Sequence, residues 1–132
     1  MVIIFTKDEA TAKLAGAAAK GRRLAVSSID HLMELVADER PSAVLLDARA
    51  GGSGARAVDL IPWILKASPL TAVVALTWRP TRPELEELVA LGAYSWVDLA
   101  AGAKVTKRVR TLARGASSRR RAAALPAGQL LH

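Results

Sequence analysis

The amino-acid sequence predicts an α/β domain: a five-stranded, doubly wound parallel sheet with helices on both faces. Three observations carry that expectation. Short apolar runs rich in strand formers recur five times along the 132 residues. Each run is followed by a stretch with helical spacing, so strands and helices alternate one for one. The third and fourth runs are apolar almost throughout, as suits strands buried on both faces. Such alternation demands parallel pairing, with crossover helices on both sides of the sheet.

Taken in order, Val2 to Thr6 reads as the first strand, and the alanine-rich stretch from Lys7 to Lys20 as the first helix, with Gly21 as its stop. Arg22 to Ser27 is the second strand, placed near a sheet edge by its two leading charges. Ser27 or Ser28 caps a helix over Ile29 to Glu39, where Leu32, Leu35 and Val36 follow helical spacing. Pro41 breaks the chain and leads into the third strand, Ala43 to Asp47. A glycine-rich loop, Gly51 to Gly54, follows. Its spacing matches neither a phosphate-binding loop nor a dinucleotide fingerprint, so it reads as a connector. Ala55 to Lys66 reads as the third helix, with Pro62 awkward inside it. Leu70 to Thr77 is the fourth strand. Thr81 with Glu84 forms a capping box, and Pro83 sits in the first turn of a helix over Arg82 to Leu91 that stops at Gly92. Tyr94 to Leu99 is the fifth strand. Ala103 to about Arg114 is the fifth helix, with Val105, Val109 and Leu112 on one face.

Composition removes several function classes. There is no cysteine, which excludes disulfides, thiol catalysis and Cys-zinc sites. His31 and His132 are the only imidazoles, so no His-based metal site is expected. No apolar run approaches the roughly 18 residues of a membrane span, and no basic region precedes the first apolar run as a signal peptide requires. A cytoplasmic protein is expected. The net charge of +7 is concentrated. Residues 1–102 carry 11 Lys/Arg against 12 Asp/Glu, whereas residues 103–132 carry 8 Lys/Arg and no acid. The basic character therefore belongs to one segment and not to the fold.

Asp47 ends the third strand, where open α/β sheets place their sites. With Thr77 ending the fourth strand 30 residues later, the pair Gly92-Ala93 before the fifth and Trp96 within it, the chain over residues 1–114 resembles a response-regulator receiver domain. The resemblance implies a flavodoxin-like receiver fold, a bacterial two-component setting, and Asp47 at the phosphoacceptor position. It also places an acidic pair after the first strand, where this chain has Thr6 and Lys7 with Asp8 one position late, and a Lys at the end of the fifth, where it has Leu99. In a receiver the acids hold Mg²⁺ and the Lys binds a phosphoryl oxygen. Lys7 and Leu99 remove two of those three supports, so the chain reads as a degenerate receiver, with no catalysis, metal or cofactor expected. Asp47 is expected to form an ion pair with Lys7, Thr77 to cap a loop, and Trp96 to be a fixed interface aromatic.

The expected output is a phosphorylation-independent regulatory or scaffold role through a protein partner in signalling. Glu84 and Glu87 on the fourth helix face Lys104, Lys107 and Arg108 on the fifth, so the face from fourth helix to fifth strand to fifth helix permits a homodimer by acid–base pairing. Residues 115–132 read as a flexible or only partly helical basic tail. There Arg119, Arg120 and Arg121, with Arg114, permit contact with nucleic acid, though no aromatic is interleaved for base stacking. A third reading keeps phosphoacceptor chemistry with displaced ligands, Asp8 joining the metal site.

Overall fold

The computed structural model describes residues 1–51 and 54–124. Five strands, β1 (Val2–Phe5), β2 (Arg23–Val26), β3 (Ala43–Asp47), β4 (Ala72–Thr77) and β5 (Ser95–Asp98), alternate with five α-helices. The helices are α1 (Glu9–Ala18), α2 (Ile29–Glu39), α3 (Ile61–Ala67), α4 (Arg82–Leu91) and α5 (Lys104–Ala124). All pairings are parallel, in the order β2-β1-β3-β4-β5, the flavodoxin-like doubly wound arrangement.

Strand alternation divides the apolar side chains between two cores. Ile3, Phe5, Val44, Leu46 and Val73 pack with α2, α3 and α4. Val2, Ile4, Leu45, Val74 and Leu76 pack on the other face with α1 and α5, where Ala15, Ala18 and Ala19 keep α1 close to the sheet. Every residue of β3 and β4 is buried, as their apolar runs require, while β2 lies at the edge with its first three residues exposed.

Helix ends follow local chemistry. Ser28 accepts from the backbone N–H of His31 at the start of α2, and the Thr81–Glu84 capping box starts α4. Gly92 ends α4 at φ 101°, a left-handed conformation that favours glycine. Pro62 interrupts nothing. A 3₁₀ turn over Ala57–Leu60 precedes α3, so the proline falls in the first helical turn, where its missing N–H costs no internal bond.

The expected end of the fifth helix near Arg114 needs correction. α5 continues unbroken to Ala124, so the first ten residues of the expected tail are helical. Leu112 and Ala116 remain buried against the sheet, which carries the apolar stripe one turn beyond Leu112 and past Gly115. Gly115 is there for close packing: an added Cβ would lie 3.0 Å from the Tyr94 hydroxyl oxygen. Residues 125–132 of the expected tail lie outside the described residues.

Candidate functional site

The register of β1 against β3 pairs Phe5 with Leu46, so the next residue of each strand, Thr6 and Asp47, emerge side by side at the C-terminal edge of the sheet. Asp47 is buried, its side chain only 2% exposed. Burial at that level demands partners for both oxygens. Oδ2 accepts from the Thr6 hydroxyl at 2.7 Å and from Arg49 Nη2 at 3.3 Å. Oδ1 accepts from the Arg49 backbone N–H at 2.9 Å and from Arg49 Nε at 3.1 Å.

Arg49 joins this carboxylate to a second one. Its Nη2 donates to the Thr11 hydroxyl oxygen at 3.2 Å and lies 3.9 Å from Asp8 Oδ2. Asp8 is the N-cap of α1, accepting from the Thr11 backbone N–H at 3.1 Å and from the Thr11 hydroxyl at 2.5 Å. Its own backbone N–H donates to Thr6 Oγ1 at 3.1 Å, closing the network. The guanidinium also lies 5.6 Å from the ring centroid of Trp78, which covers it from the β4–α4 loop. Asp8 is held below the ordinary carboxylate range, chiefly by the Thr11 hydroxyl, then by the Thr11 backbone N–H. Arg49 is held more firmly protonated, chiefly through its hydrogen bond to Asp47.

The expected Lys7–Asp47 pair does not form. Lys7 is exposed and donates from Nζ to the Gly51 carbonyl at 2.6 Å. β1 ends at Phe5, and Lys7 lies in the bend that follows, from which its side chain reaches the loop after β3 and not the Asp47 carboxylate. Arg49 takes the role assigned to Lys7. Sequence reasoning passed over Arg49 as a loop residue, yet its place two residues after Asp47 was a signal. An Asp carboxylate commonly accepts from the backbone N–H two residues on, and that turn brings the Arg49 side chain back onto it.

The remaining expected residues divide between this pocket and other surfaces. Leu99 lies half-buried in a 3₁₀ turn after β5 and lines a shallow cavity with Leu14, Arg49 and Trp78. Thr77 is buried, and its hydroxyl donates to the Val97 carbonyl at 2.8 Å, tying the end of β4 to β5. Trp96 is half-buried on β5. The α4 acids are engaged within the chain: Glu84 in its capping box, and Glu87 with Arg56 at 2.9 Å. Arg56 also pairs with Asp59 at 2.9 Å. On α5, Lys104 and Lys107 are exposed, and Arg108 donates to Ser95 Oγ at 3.0 Å. Arg119 lies over the ring of Tyr94, 5.4 Å from its centroid, and Arg120 donates to the Pro41 carbonyl at 2.7 Å.

A divalent cation needs several free oxygen ligands on one side of the pocket. Here the two nearby carboxylates, Asp8 and Asp47, are both engaged, and a guanidinium stands between them. These residues do not fit a Mg²⁺ site.

No family model matches the chain, and neither does any curated protein. Solved structures do match, and they are receiver domains. NtrX from Brucella abortus superimposes with a TM-score of 0.78 at 18% identity, over 95% of this chain and 29% of that one. The isolated receiver domain of NtrX gives 0.75 at 18% identity, over 89% of this chain and 98% of that one. A response regulator from Burkholderia pseudomallei, solved with a phosphorylated aspartic acid and a calcium ion, gives 0.70 at 20% identity, over 93% and 72%. The chain thus spans under a third of the NtrX chain but nearly all of its isolated receiver domain. At these identities the likeness establishes the receiver fold.

Proposed function

We propose that this chain is a degenerate receiver: a regulatory or scaffold module of signal transduction that acts through a protein partner without a phosphoryl group. One observation carries the reading. The Arg49 guanidinium sits on the buried Asp47 carboxylate and reaches Asp8, where a receiver would need a metal ion between its acids. Phosphoryl transfer depends on positioning and on neutralising charge that develops in the transition state. A guanidinium already hydrogen-bonded to the nucleophile supplies fixed charge but no open coordination site. Leu99, at the position of the receiver Lys, supplies no cation. No catalytic role is assigned to any residue.

A protein partner has a surface to use. Val89 and Tyr94 are exposed and Trp96 is half-buried along the α4–β5–α5 side, which also presents Lys104 and Lys107. The partner fits this side better than a second copy held by acid–base pairs, because Glu84 and Glu87 are engaged internally.

The test is incubation with acetyl phosphate and Mg²⁺, read by intact mass and by Trp fluorescence, with Trp78 as the reporter over the pocket. Unchanged mass and fluorescence are expected. A gain of one phosphoryl group mapped to Asp47 overturns the proposal and restores the third reading, with Asp8 in a metal site.

A further inference from the structure

The opposite end of the sheet gathers cations that the sequence scatters over a hundred residues. Where α5 crosses the α1–β2 connection, Lys20, Arg22, Arg110 and Arg114 line one cavity of about 270 Å³ that has no acidic residue in its wall. Arg22 also lines an adjoining cavity with Arg40, Arg120 and Arg121, where Glu39 is the single acid. The two cavities share Ser42 and Ser117 and make one continuous groove.

Three features separate this groove from a solvated basic face. First, the charge has almost no internal counterweight. All 12 acidic side chains of the chain lie among the described residues, and only Glu39 reaches this surface, 3.6 Å from the exposed Arg22. An exposed pair of that kind is worth little in water. Second, Arg110 Nε is buried without a hydrogen-bond partner among the described residues. A buried donor on a cationic side chain is costly unless an acceptor reaches it. Third, Arg110, Arg114, Ser117 and Arg121 recur at helical spacing, one stripe along α5. From Arg110 to Arg121 that stripe runs roughly 16 Å at 1.5 Å per residue.

We infer that this groove binds the phosphodiester backbone of duplex nucleic acid. A linear row of guanidinium groups matches a linear row of phosphates, with bidentate geometry at each. About 16 Å of duplex axis presents roughly five phosphates on each strand, and the seven cations of the two cavities are enough to meet about five of them across the groove. An anionic lipid surface fits less well, because interfacial binding needs exposed Leu, Phe or Trp beside the cations, and the groove walls carry none. The cations are spread along a groove and no side chain is held by a partner toward a base edge, so the contact inferred is with the phosphate backbone. The contact expected of Arg114 and Arg119 to Arg121 is here given a different composition: Arg119 lies over Tyr94, and Lys20 and Arg22 from the α1–β2 connection join Arg110, Arg114, Arg120 and Arg121. The inference does not depend on the state of Asp47 or on the protein partner.

The experiment is fluorescence anisotropy of the whole chain with a labelled 20-base-pair duplex of arbitrary sequence at 50 and 200 mM salt. Five phosphate contacts predict a log–log salt slope of about −4.5, a loss of roughly 500-fold over that range. The double variant Arg114→Gln/Arg121→Gln changes two exposed residues and so leaves the fold intact, which a circular dichroism melt checks. It is expected to reduce the slope by about 2 and the affinity at 50 mM by tenfold or more. Arg110→Gln gives an independent variant and should also weaken binding. Lys104→Gln/Lys107→Gln, elsewhere on α5, should bind within about twofold of the parent, since sequence-independent contacts act only where they meet phosphate. No duplex binding at 50 mM overturns the inference. Equal loss in both double variants overturns it too, since the attraction would then be diffuse. Tighter binding to vesicles of anionic phospholipid than to the duplex, at equal phosphate concentration, overturns it in favour of a membrane surface.

Discussion

At the C-terminal ends of the strands, two carboxylates share one guanidinium and nearly every polar atom is partnered within the chain; at the N-terminal ends, seven Lys and Arg residues line a groove with Glu39 as their one acid. The same sheet and α1 frame both, while α5 lines only the second. The difference lies in where the opposite charge comes from. Asp47 has Arg49 two residues away, so its neutralisation is local and permanent. Arg110 and Arg114 form no ion pair among the described residues, and their inferred counter-charge is a bound phosphate. The proposed function rests on the end with an internal counter-ion, and the inferred nucleic-acid contact on the end without one.

The contrast can be broken most forcefully at Ala116, which is fully buried where α5 crosses the sheet. Ala116→Asp puts an unpartnered carboxylate there and should cost about 3 kcal/mol or more, lowering Tm by about 10 °C in a thermal melt. A small shift would mean that α5 detaches beyond Arg114 and that the basic end is not built as described. Arg49→Ala comes next. It leaves Asp47 buried with only Thr6 and one backbone N–H. Since Arg49 is 48% exposed, the expected cost is discounted to about 1–2 kcal/mol, or roughly 4–8 °C. No change would indicate that Asp47 needs no cation and would remove the basis for the proposed function. Thr6→Val deletes one neutral-donor bond to the same carboxylate and should cost about 1 kcal/mol by urea denaturation. An effect larger than that of Arg49→Ala would make Thr6 the principal support.

Acid titration gives the smallest effect. Asp8 and Asp98 both have folded-state values below the ordinary 3.8, Asp98 chiefly through the backbone N–H of Arg79, then that of Ala100. A depressed carboxylate contributes stability above its unfolded value and loses it as pH falls through its folded value. Urea midpoints should therefore be level near pH 6 and decline below about pH 4. In Asp8→Asn that decline should be shallower. An identical decline in the variant would show that the α1 cap is not among the groups responsible.

The fold was legible to the level of element order. Val44–Leu46 and Val73–Leu76 are apolar on both faces, and only a parallel sheet between helix layers buries such strands. Caps at Ser28 and Thr81 and the stop at Gly92 are local chemistry, readable within a few residues. Pro62 read as a defect because a 3₁₀ turn and an α-helix have the same apolar spacing over so short a span. The end of α5 was misread at Gly115, whose reason is the Tyr94 side chain packed against it, a contact 21 residues away along the chain.

What the sequence settled alone was the position of Asp47 at the end of a buried strand, and the absence of a second acid at Thr6 or Lys7 and of a cation at Leu99. Asp47 is placed by the strand pattern, and the significance of Thr6, Lys7 and Leu99 is what the resemblance to receivers implies. Which cation meets Asp47, and which surface the C-terminal arginines join, were decided only by tertiary structure. Both depend on where side chains point once strands are in register and a helix is laid across them. The bend after β1 turned Lys7 to the Gly51 carbonyl and a tight turn brought Arg49 back, while the path of α5 set Arg110 and Arg114 beside Lys20 and Arg22.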